Sequence, residues 1–444
     1  MSIELITLVF FVSIIAAIMS GFPVAITLGA VGLIIGYFTM GAPVFELMYQ
    51  RGIIIALNYP LLALPLFVLM GIILADSGVA DGMYNALSVI LGRVRGGLAV
   101  TTVLLGAMLA ACLGVITAAV STLTILAVKP MVLRGYSKSL ATGAACAGGV
   151  LGILIPPSVM IIILGPLADI SVGKLFMGAF MPGFMLAGLY STYIIIRSFL
   201  QPGIAPGAPP EEQGVSLGTK LKLLGKGVVP PLLIIMSVLG VIFLGIAPPT
   251  EAAATGVIAS FALAIAYRKM DLTKLKSVLL QALRVTSFSL CIAFFSIGMV
   301  GVFLRIGCCF VVRDLVLAAP GGRWGAFTII MLVIFLLGFL MSWLPILFIM
   351  IPIVMPILPE LGFDEVWFAI MICVNLQMAF MTPPMAQAIF VCRGTVPKEL
   401  GVETSDIIRG VFPFVGLIII GLILCVIFPQ IILWLPNTLI RTGW

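Results

Sequence analysis

Two short motifs place a double proline beside a hydroxyl-bearing or sulfur-bearing residue inside long apolar stretches. The first, GILIPPS, runs from Gly152 to Ser158, and the second, MTPPM, runs from Met381 to Met385. Proline has no backbone N–H and disfavours helix at the preceding residue, so each motif predicts an interrupted helix with exposed carbonyl groups. Carbonyl and hydroxyl oxygens suit a hard monovalent cation such as Na⁺. The predicted chemistry is therefore cation binding in an apolar environment.

A second interrupted apolar stretch accompanies each motif. The stretch 98–133 breaks near Gly114, and the stretch 324–358 breaks between Gly338 and Ser342. Each is too long for one span of about 20 residues. Each therefore predicts a re-entrant helical hairpin whose tip reaches the middle of the membrane, where non-helical backbone must face protein or water.

Each predicted site combines one hairpin tip with one broken helix. At the first, the carbonyl groups around Ile155 would join the hydroxyls of Thr117 and Ser158. At the second, Thr382 would supply the hydroxyl, and Gly338 would allow close backbone approach. The alternative at both is a proline kink that neighbouring helices satisfy, with each hydroxyl bonded to its own helix.

Other polar residues in apolar stretches have open interpretations. Ser158, Ser342 and Asn375 are candidates for lining a substrate cavity, although Asn375 could instead form a hydrogen bond between helices. Arg305 could attract an anionic substrate, or its guanidinium could extend to the membrane surface.

The elements that must position these residues are membrane helices. The chain has 444 residues, of which 62% are hydrophobic and 9% are charged, whereas soluble proteins carry about 25% charged residues. Apolar runs of about 20 residues recur along the chain, and alternating polar and apolar residues are absent. The sequence predicts an all-α polytopic membrane protein.

The distribution of charge and the absence of certain residues and motifs argue against several functional classes. The formal net charge is +7, but the basic residues lie mostly in short loops, which favours contact with lipid head groups over nucleic acid. The sequence has no His and no GxxxxGK[ST] motif. These absences argue against a membrane enzyme, a proton-translocating respiratory subunit and an ATP-driven pump. No cofactor is expected, and Na⁺ enters only as a coupling ion.

Landmarks of glycine and proline recur at a shift of about 225–230 residues. Their shared order predicts two repeats, 1–200 and 227–444, joined by a polar linker at 201–226. Each repeat would hold one hairpin, at about 98–133 or 324–358, and one broken helix, at about 140–167 or 366–391. Three amphipathic stretches, 44–57, 81–95 and 271–284, predict interfacial helices that frame this core.

The sequence resembles the large membrane subunit of tripartite ATP-independent periplasmic (TRAP) transporters over essentially its whole length. The segments that carry the resemblance, in chain order, are GFPV (21–24), PLLALPLFVLMG (60–71), RGY (134–136), AGGVLGILIPPS (147–158), GKLFMGAFMPG (173–183), PTEAAATG (249–256), MTPP (381–384) and FPQIILWLP (428–436). The set in this order is specific, although no single segment is.

The resemblance implies an elevator-type transporter with two inverted repeats, in which a transport domain slides against a scaffold. It implies Na⁺ sites at the two junctions of hairpin and broken helix. Carried over by motif position, these are Gly152, Ile155 and Pro157 at the first junction and Gly338, Ala379, Thr382 and Met385 at the second. It also implies a small four-helix membrane subunit, a periplasmic substrate-binding protein, a small organic anion as cargo and a location in the inner membrane.

Two departures from the family pattern stand out. Many members carry a Gly-Ser-Ser run at the first hairpin tip, where this chain has Gly114-Val115-Ile116 before Thr117. Many also carry Asp-Pro at the second tip, where this chain has Ser342-Trp343.

The alternative function is a stand-alone, ion-coupled dicarboxylate-type elevator transporter, which would need no binding protein.

Overall fold

The structure is a computed structural model that describes residues 2–113, 116–207 and 216–441. All regular elements within these ranges are helical. Among the described residues, seven helices are long and apolar enough to cross a membrane, or eight spans result if one bent helix pair is counted as one. The predicted all-helical, multi-pass membrane fold is confirmed.

Within residues 2–113 and 116–207, eleven α-helices precede the central polar segment. They are α1 Ile3–Met19, α2 Val24–Met40, α3 Pro43–Ala56, α4 Ala63–Asp76, α5 Val79–Leu91, α6 Gly97–Leu113, α7 Ile116–Leu123, α8 Lys129–Leu133, α9 Lys138–Val150, α10 Val159–Ala168 and α11 Val172–Leu200. A π-helical segment, Thr124–Val128, joins α7 to α8, and a 3₁₀ turn, Leu151–Ile153, follows α9.

Twelve α-helices follow within residues 216–441. They are α12 Leu217–Gly227, α13 Val229–Phe243, α14 Pro249–Ala266, α15 Leu272–Ile306, α16 Cys308–Leu317, α17 Gly322–Leu337, α18 Trp343–Val354, α19 Leu358–Leu361, α20 Glu365–Met381, α21 Gln387–Thr395, α22 Thr404–Ile427 and α23 Gln430–Arg441. Helix α6 with α7–α8, and α17 with α18–α19, occupy the stretches where hairpins were predicted.

Local sequence signals set many helix boundaries. Ser137 and Asp364 are N-cap residues whose side chains accept N–H groups of the first turns of α9 and α20, which satisfies donors that a helix start leaves free. The Tyr136 hydroxyl accepts the Leu98 N–H at 3.3 Å, at the start of α6. Burial raises the pKa of Tyr136, so this hydroxyl stays neutral and continues to hold the base of the first hairpin.

Two elements differ from the sequence prediction. The stretch 271–284 is the first part of α15, a single helix of 35 residues, because neither Gly nor Pro occurs there to end an interfacial helix. The predicted linker 201–226 contains α12, whose N-cap Ser216 accepts the Thr219 N–H. Helix α12 packs against α5, so this part of the linker belongs to the fold.

Helices from the two halves of the chain pack across one another in matching pairs. Helix α9 packs against α22, and α20 packs against α11. The second part of each broken helix also packs against the hairpin of the other half of the chain. Helix α10 contacts α18, and α21 contacts α7. The two broken helices and the two hairpins therefore form one interlocked unit.

This packing divides the helices into two groups. The inner group consists of α6–α11 and α17–α23, and the outer group consists of α1–α5 and α12–α16. The outer group is joined by contacts of α15 with α2, α3 and α4, and of α14 with α4 and α13. The groups meet mainly where α6 lies against α4 and α5, and where α18 lies against α15.

Candidate functional site

The first broken helix frees two carbonyl groups near its interruption. Pro156 and Pro157 have no N–H, so the carbonyl groups of Gly152 and Ile153 cannot accept the usual bond from four residues ahead. The Ser158 hydroxyl donates to the Ile153 carbonyl. The Gly152 carbonyl is left without a helical donor, which makes it available to a cation.

The second broken helix repeats this arrangement. Pro383 and Pro384 remove the donors that the carbonyl groups of Ala379 and Phe380 would otherwise accept. The Thr382 hydroxyl donates to the Met378 carbonyl of its own helix. The sequence prediction placed Gly152 and Ala379 in the two cation sites. Each of these residues precedes the first proline of its pair by four positions.

The first hairpin lies against the first break. The 3₁₀ turn Leu151–Ile153, which holds Gly152, contacts both α6 and α7. A Cβ atom on Gly149 would lie 2.5 Å from Cγ2 of Val120, so α7 approaches α9 closely. Thr117 precedes Val120 by about one helical turn and is half-buried. Gly114 lies outside the residues that the structure describes.

The second hairpin touches the second break at two of the predicted residues. A Cβ atom on Gly338 would lie 2.2 Å from the Cβ atom of Ala379. Real Cβ atoms do not approach other atoms so closely, so a residue larger than glycine would force α17 away from α20. Gly338 thereby allows the turn after α17 to pack directly against Ala379, whose carbonyl group the prolines leave without a donor.

The two breaks differ in their exposure. Residues 151–158 are buried throughout, and Ser158 is completely so. Around the second break, Thr382 and Ser342 are half-buried, and Pro383, Pro384 and Met385 are exposed. The broken-helix side of the first junction is therefore buried, whereas the second junction opens to the surface of the protein.

The hydroxyl groups of the two breaks form hydrogen bonds within their own helices, which is the alternative to cation binding that the sequence left open. Ser158 and Thr382 both donate to carbonyl groups of their own broken helices, although the lone pairs of each hydroxyl can still accept or coordinate. Ser342 is the N-cap of α18, and its side chain makes no capping bond. Asn375 donates from Nδ2 to the Met331 carbonyl on α17 at 2.8 Å, which is the hydrogen bond between helices that was the alternative to cavity lining.

The structure also draws attention to Gln377, which sequence reasoning did not assign to the site. It lies in α20 and is fully buried, and neither atom of its side-chain amide has a hydrogen-bond partner among the described residues. Burial of an unpaired amide costs about 2–7 kcal/mol. The sequence signal was a second amide two residues after Asn375, but sequence does not show which amide finds a partner.

An apolar cavity adjoins the first junction. It has a volume of about 280 Å³, and it lies between Ile155 and Pro156 of the break, Phe180 and Phe184 of α11, and Leu239 of α13. Because α13 belongs to the outer group, this cavity lies on the boundary between the two groups. Its walls carry almost no polar surface, so it does not resemble a site for an anion.

The fold and the paired broken helices define a multi-pass membrane protein of the transporter class. Residues 11–431 match the family described as "Tripartite ATP-independent periplasmic transporter, DctM component". The chain belongs to this family, whose relatives are transporter permeases and not enzymes. The predicted resemblance is confirmed.

Relatives support this assignment, and a solved structure shares the fold. The chain is 29% identical to the C4-dicarboxylate TRAP transporter large permease protein DctM of Vibrio cholerae serotype O1, with 97% of each chain covered. It is also 29% identical to the sialic acid TRAP transporter permease protein SiaT of Haemophilus influenzae, over 86% of this chain and 61% of that one. The crystal structure of the Alcanivorax borkumensis YdaH transporter has a similar fold, with a TM-score of 0.60 and 14% identity over 91% of this chain and 88% of that one.

Proposed function

We propose that this chain carries out secondary active transport of a small organic acid anion across the inner membrane, driven by a Na⁺ gradient. The observation that carries the proposal is the pair of freed carbonyl groups at Gly152 and Ala379, each beside a hairpin of its own half. Carbonyl oxygens in interrupted membrane helices are suitable ligands for Na⁺. The two relatives are named for a C4-dicarboxylate and for sialic acid, and both are carboxylic acids.

In this proposal, Na⁺ binds at the two junctions. The first site consists of Gly152, Ile155 and Pro157 with Gly114 and Thr117 of the hairpin tip, and the second consists of Gly338, Ala379, Thr382 and Met385. Backbone carbonyl groups that the double prolines leave without donors provide ligands, and the Thr382 hydroxyl, which donates within its own helix, can still coordinate through its lone pairs. The substrate anion lies between the hairpin tips, near Ser342.

Movement of the inner group against the outer group would carry the bound ions and substrate across the membrane. The interlocked packing of α9 with α22 and of α20 with α11 suits an inner group that moves as one body. A small four-helix membrane subunit would extend the outer group, and a periplasmic substrate-binding protein would deliver the anion.

Uptake into proteoliposomes tests the proposal. Vesicles would contain this chain with its small membrane subunit, and radiolabelled C4-dicarboxylates and sialic acid would be supplied with and without a Na⁺ gradient. Each condition would be repeated with and without the cognate binding protein. Uptake that needs both supports the tripartite, Na⁺-driven function. Uptake that needs Na⁺ but no binding protein favours the stand-alone transporter, and uptake without Na⁺ contradicts the ion sites.

A further inference from the structure

A pocket of about 570 Å³ lies between α3 and α15, and its lining residues are not those of either junction. Arg51 of α3 and Arg305 of α15 both line it, together with Glu46 and Gln50. We call it the arginine pocket. Arg51 is half-buried and Arg305 is exposed, and within the described ranges neither guanidinium has an ion pair or a hydrogen bond.

The packing of α3 on α15 directs Arg51 into this pocket. A Cβ atom on Gly301 would lie 2.9 Å from Cγ and 3.2 Å from Nε of Arg51, so the arginine chain crosses α15 where the helix has no side chain. Arg305 follows Gly301 by four residues and therefore lies on the same face of α15. The two guanidinium groups thus share one concave site.

The charges in the pocket do not balance. Glu46 contributes one carboxylate, which accepts a hydrogen bond from Gln50 Nε2 at 2.6 Å on the same helix. Two guanidinium groups and one carboxylate leave an excess of one positive charge. Guanidinium groups bind phosphate through paired hydrogen bonds, so a phosphate group with a net negative charge would complete the site.

The surroundings of the pocket favour a lipid as the source of such a phosphate. The pocket forms where α2 ends, α3 begins and α15 ends, and the ends of membrane helices lie near the lipid head groups. Nearby on α2 and α3, Phe38 is 84% exposed, and the exposed rings of Tyr37 and Phe45 have centroids 6.2 Å apart. Acyl chains can cover these apolar side chains while a head group occupies the pocket.

We propose that the arginine pocket binds the phosphate of an anionic phospholipid, which holds α3 against α15. The pocket belongs wholly to the outer group and is separate from the junctions. Its lining residues differ from those of the two junctions, so lipid binding there can be measured without transport.

Lipid titration of the purified, delipidated full-length chain tests the proposal. Mixed micelles with phosphatidylglycerol or phosphatidylcholine would be added, with the midpoint of thermal unfolding and native mass spectrometry as readouts. We expect phosphatidylglycerol to raise the midpoint and to remain bound. Arg51→Gln and Arg305→Gln should each weaken its apparent affinity by about tenfold or more, because each removes a charge-assisted hydrogen bond.

Two further variants separate the pocket from general effects of charge and folding. Arg284→Gln removes an exposed arginine from the same helix α15, outside the pocket, and should leave lipid affinity unchanged. Gly301→Val keeps both arginines but displaces Arg51, so it should weaken lipid binding as Arg51→Gln does. Size-exclusion chromatography and circular dichroism would verify that each variant remains folded.

Three results would overturn the proposal. Equal effects of the two lipids would show that the anionic charge is not recognised. Unchanged affinity in Arg51→Gln, Arg305→Gln and Gly301→Val would show that the pocket is not the site. A rise in the unfolding midpoint with glycerol phosphate or inorganic phosphate alone, as large as with phosphatidylglycerol, would assign the site to a soluble phosphate instead of a lipid.

Discussion

At the scale of single residues, the contact between Gly338 and Ala379 can be tested one methyl group at a time. The hairpin turn reaches the second broken helix because position 338 has no side chain. The sequence already indicated this close approach, since a glycine at the hairpin break and a residue four before a proline can be recognised without a structure.

Gly338→Ala should raise the Na⁺ concentration needed for half-maximal transport and destabilise the protein by about 1–3 kcal/mol, because the new methyl group collides with that of Ala379. The double variant Gly338→Ala, Ala379→Gly moves the methyl group to the other side of the same contact. The double variant should recover most of the apparent Na⁺ affinity and most of the stability. Uptake against Na⁺ concentration measures the first, and thermal unfolding measures the second.

Gly188→Ala is the matched control, because a Cβ atom there meets nothing within 4 Å. It should leave Na⁺ dependence unchanged. If the double variant is no better than Gly338→Ala, the collision with Ala379 is not the cause of the defect.

Some residues could not be assigned from the sequence. The unpaired amide of Gln377 and the shared pocket of Arg51 and Arg305 depend on which side chains the fold brings together. The freed carbonyl groups were predictable, because the missing N–H of proline is a covalent property that no tertiary contact changes.

At the scale of elements, the two broken helices share a sequence pattern but differ in surroundings. The Ile153 carbonyl, which Ser158 satisfies, is in a fully buried turn, whereas Thr382 is half-buried beside exposed prolines. The loss of a hydroxyl should therefore have different consequences in the two breaks.

Ser158→Ala should lower the free energy of unfolding by about 1–3 kcal/mol, because it leaves a buried carbonyl group without a donor. Thr382→Val should cost less, since water can reach its neighbourhood. Thermal unfolding followed by circular dichroism measures both, and Ser158→Thr, which keeps the hydroxyl, is the control. Equal losses for Ser158→Ala and Thr382→Val would contradict this difference in solvent access.

Elements with strong local signals were predictable, and those with mixed signals were not. The apolar stretches 98–133 and 324–358 contain helices in the expected places. Helix α12 was not predicted because proline-rich residues precede it, although Ser216 and the apolar face of Leu217–Gly227 are ordinary helix signals. Helix α15 continues through a polar first part because polarity alone does not end a helix.

At the scale of the whole molecule, the matching contacts between the two halves are the main feature that the sequence did not reveal. Repeated landmarks suggested two similar halves, but they did not show that α9 would pack against α22 or α20 against α11. Such pairings arise from tertiary packing and leave no periodic signal in either helix.

Spin labels can test whether the inner group moves as one body. Gly188 on α11, Gly416 on α22 and Gly240 on α13 each have open space around a Cβ atom. In a background without native cysteines, a label pair at 188 and 416 should keep one narrow distance. A pair at 188 and 240 should change its distance distribution when Na⁺ and substrate are added.

Electron–electron double resonance measures both distributions. An unchanged distance between 188 and 240 in protein that transports actively would contradict a sliding inner group. A change between 188 and 416 of similar size would show that the inner group itself deforms.

The unequal exposure of the two breaks has a consequence for kinetics. Under the proposed function, a cation at the exposed second break can exchange with water while the protein stays in this conformation. A cation at the buried first break must wait until the helices that cover residues 151–158 separate. The ions would therefore leave in a fixed order, and the slower dissociation from the first break would set the lifetime of the loaded state.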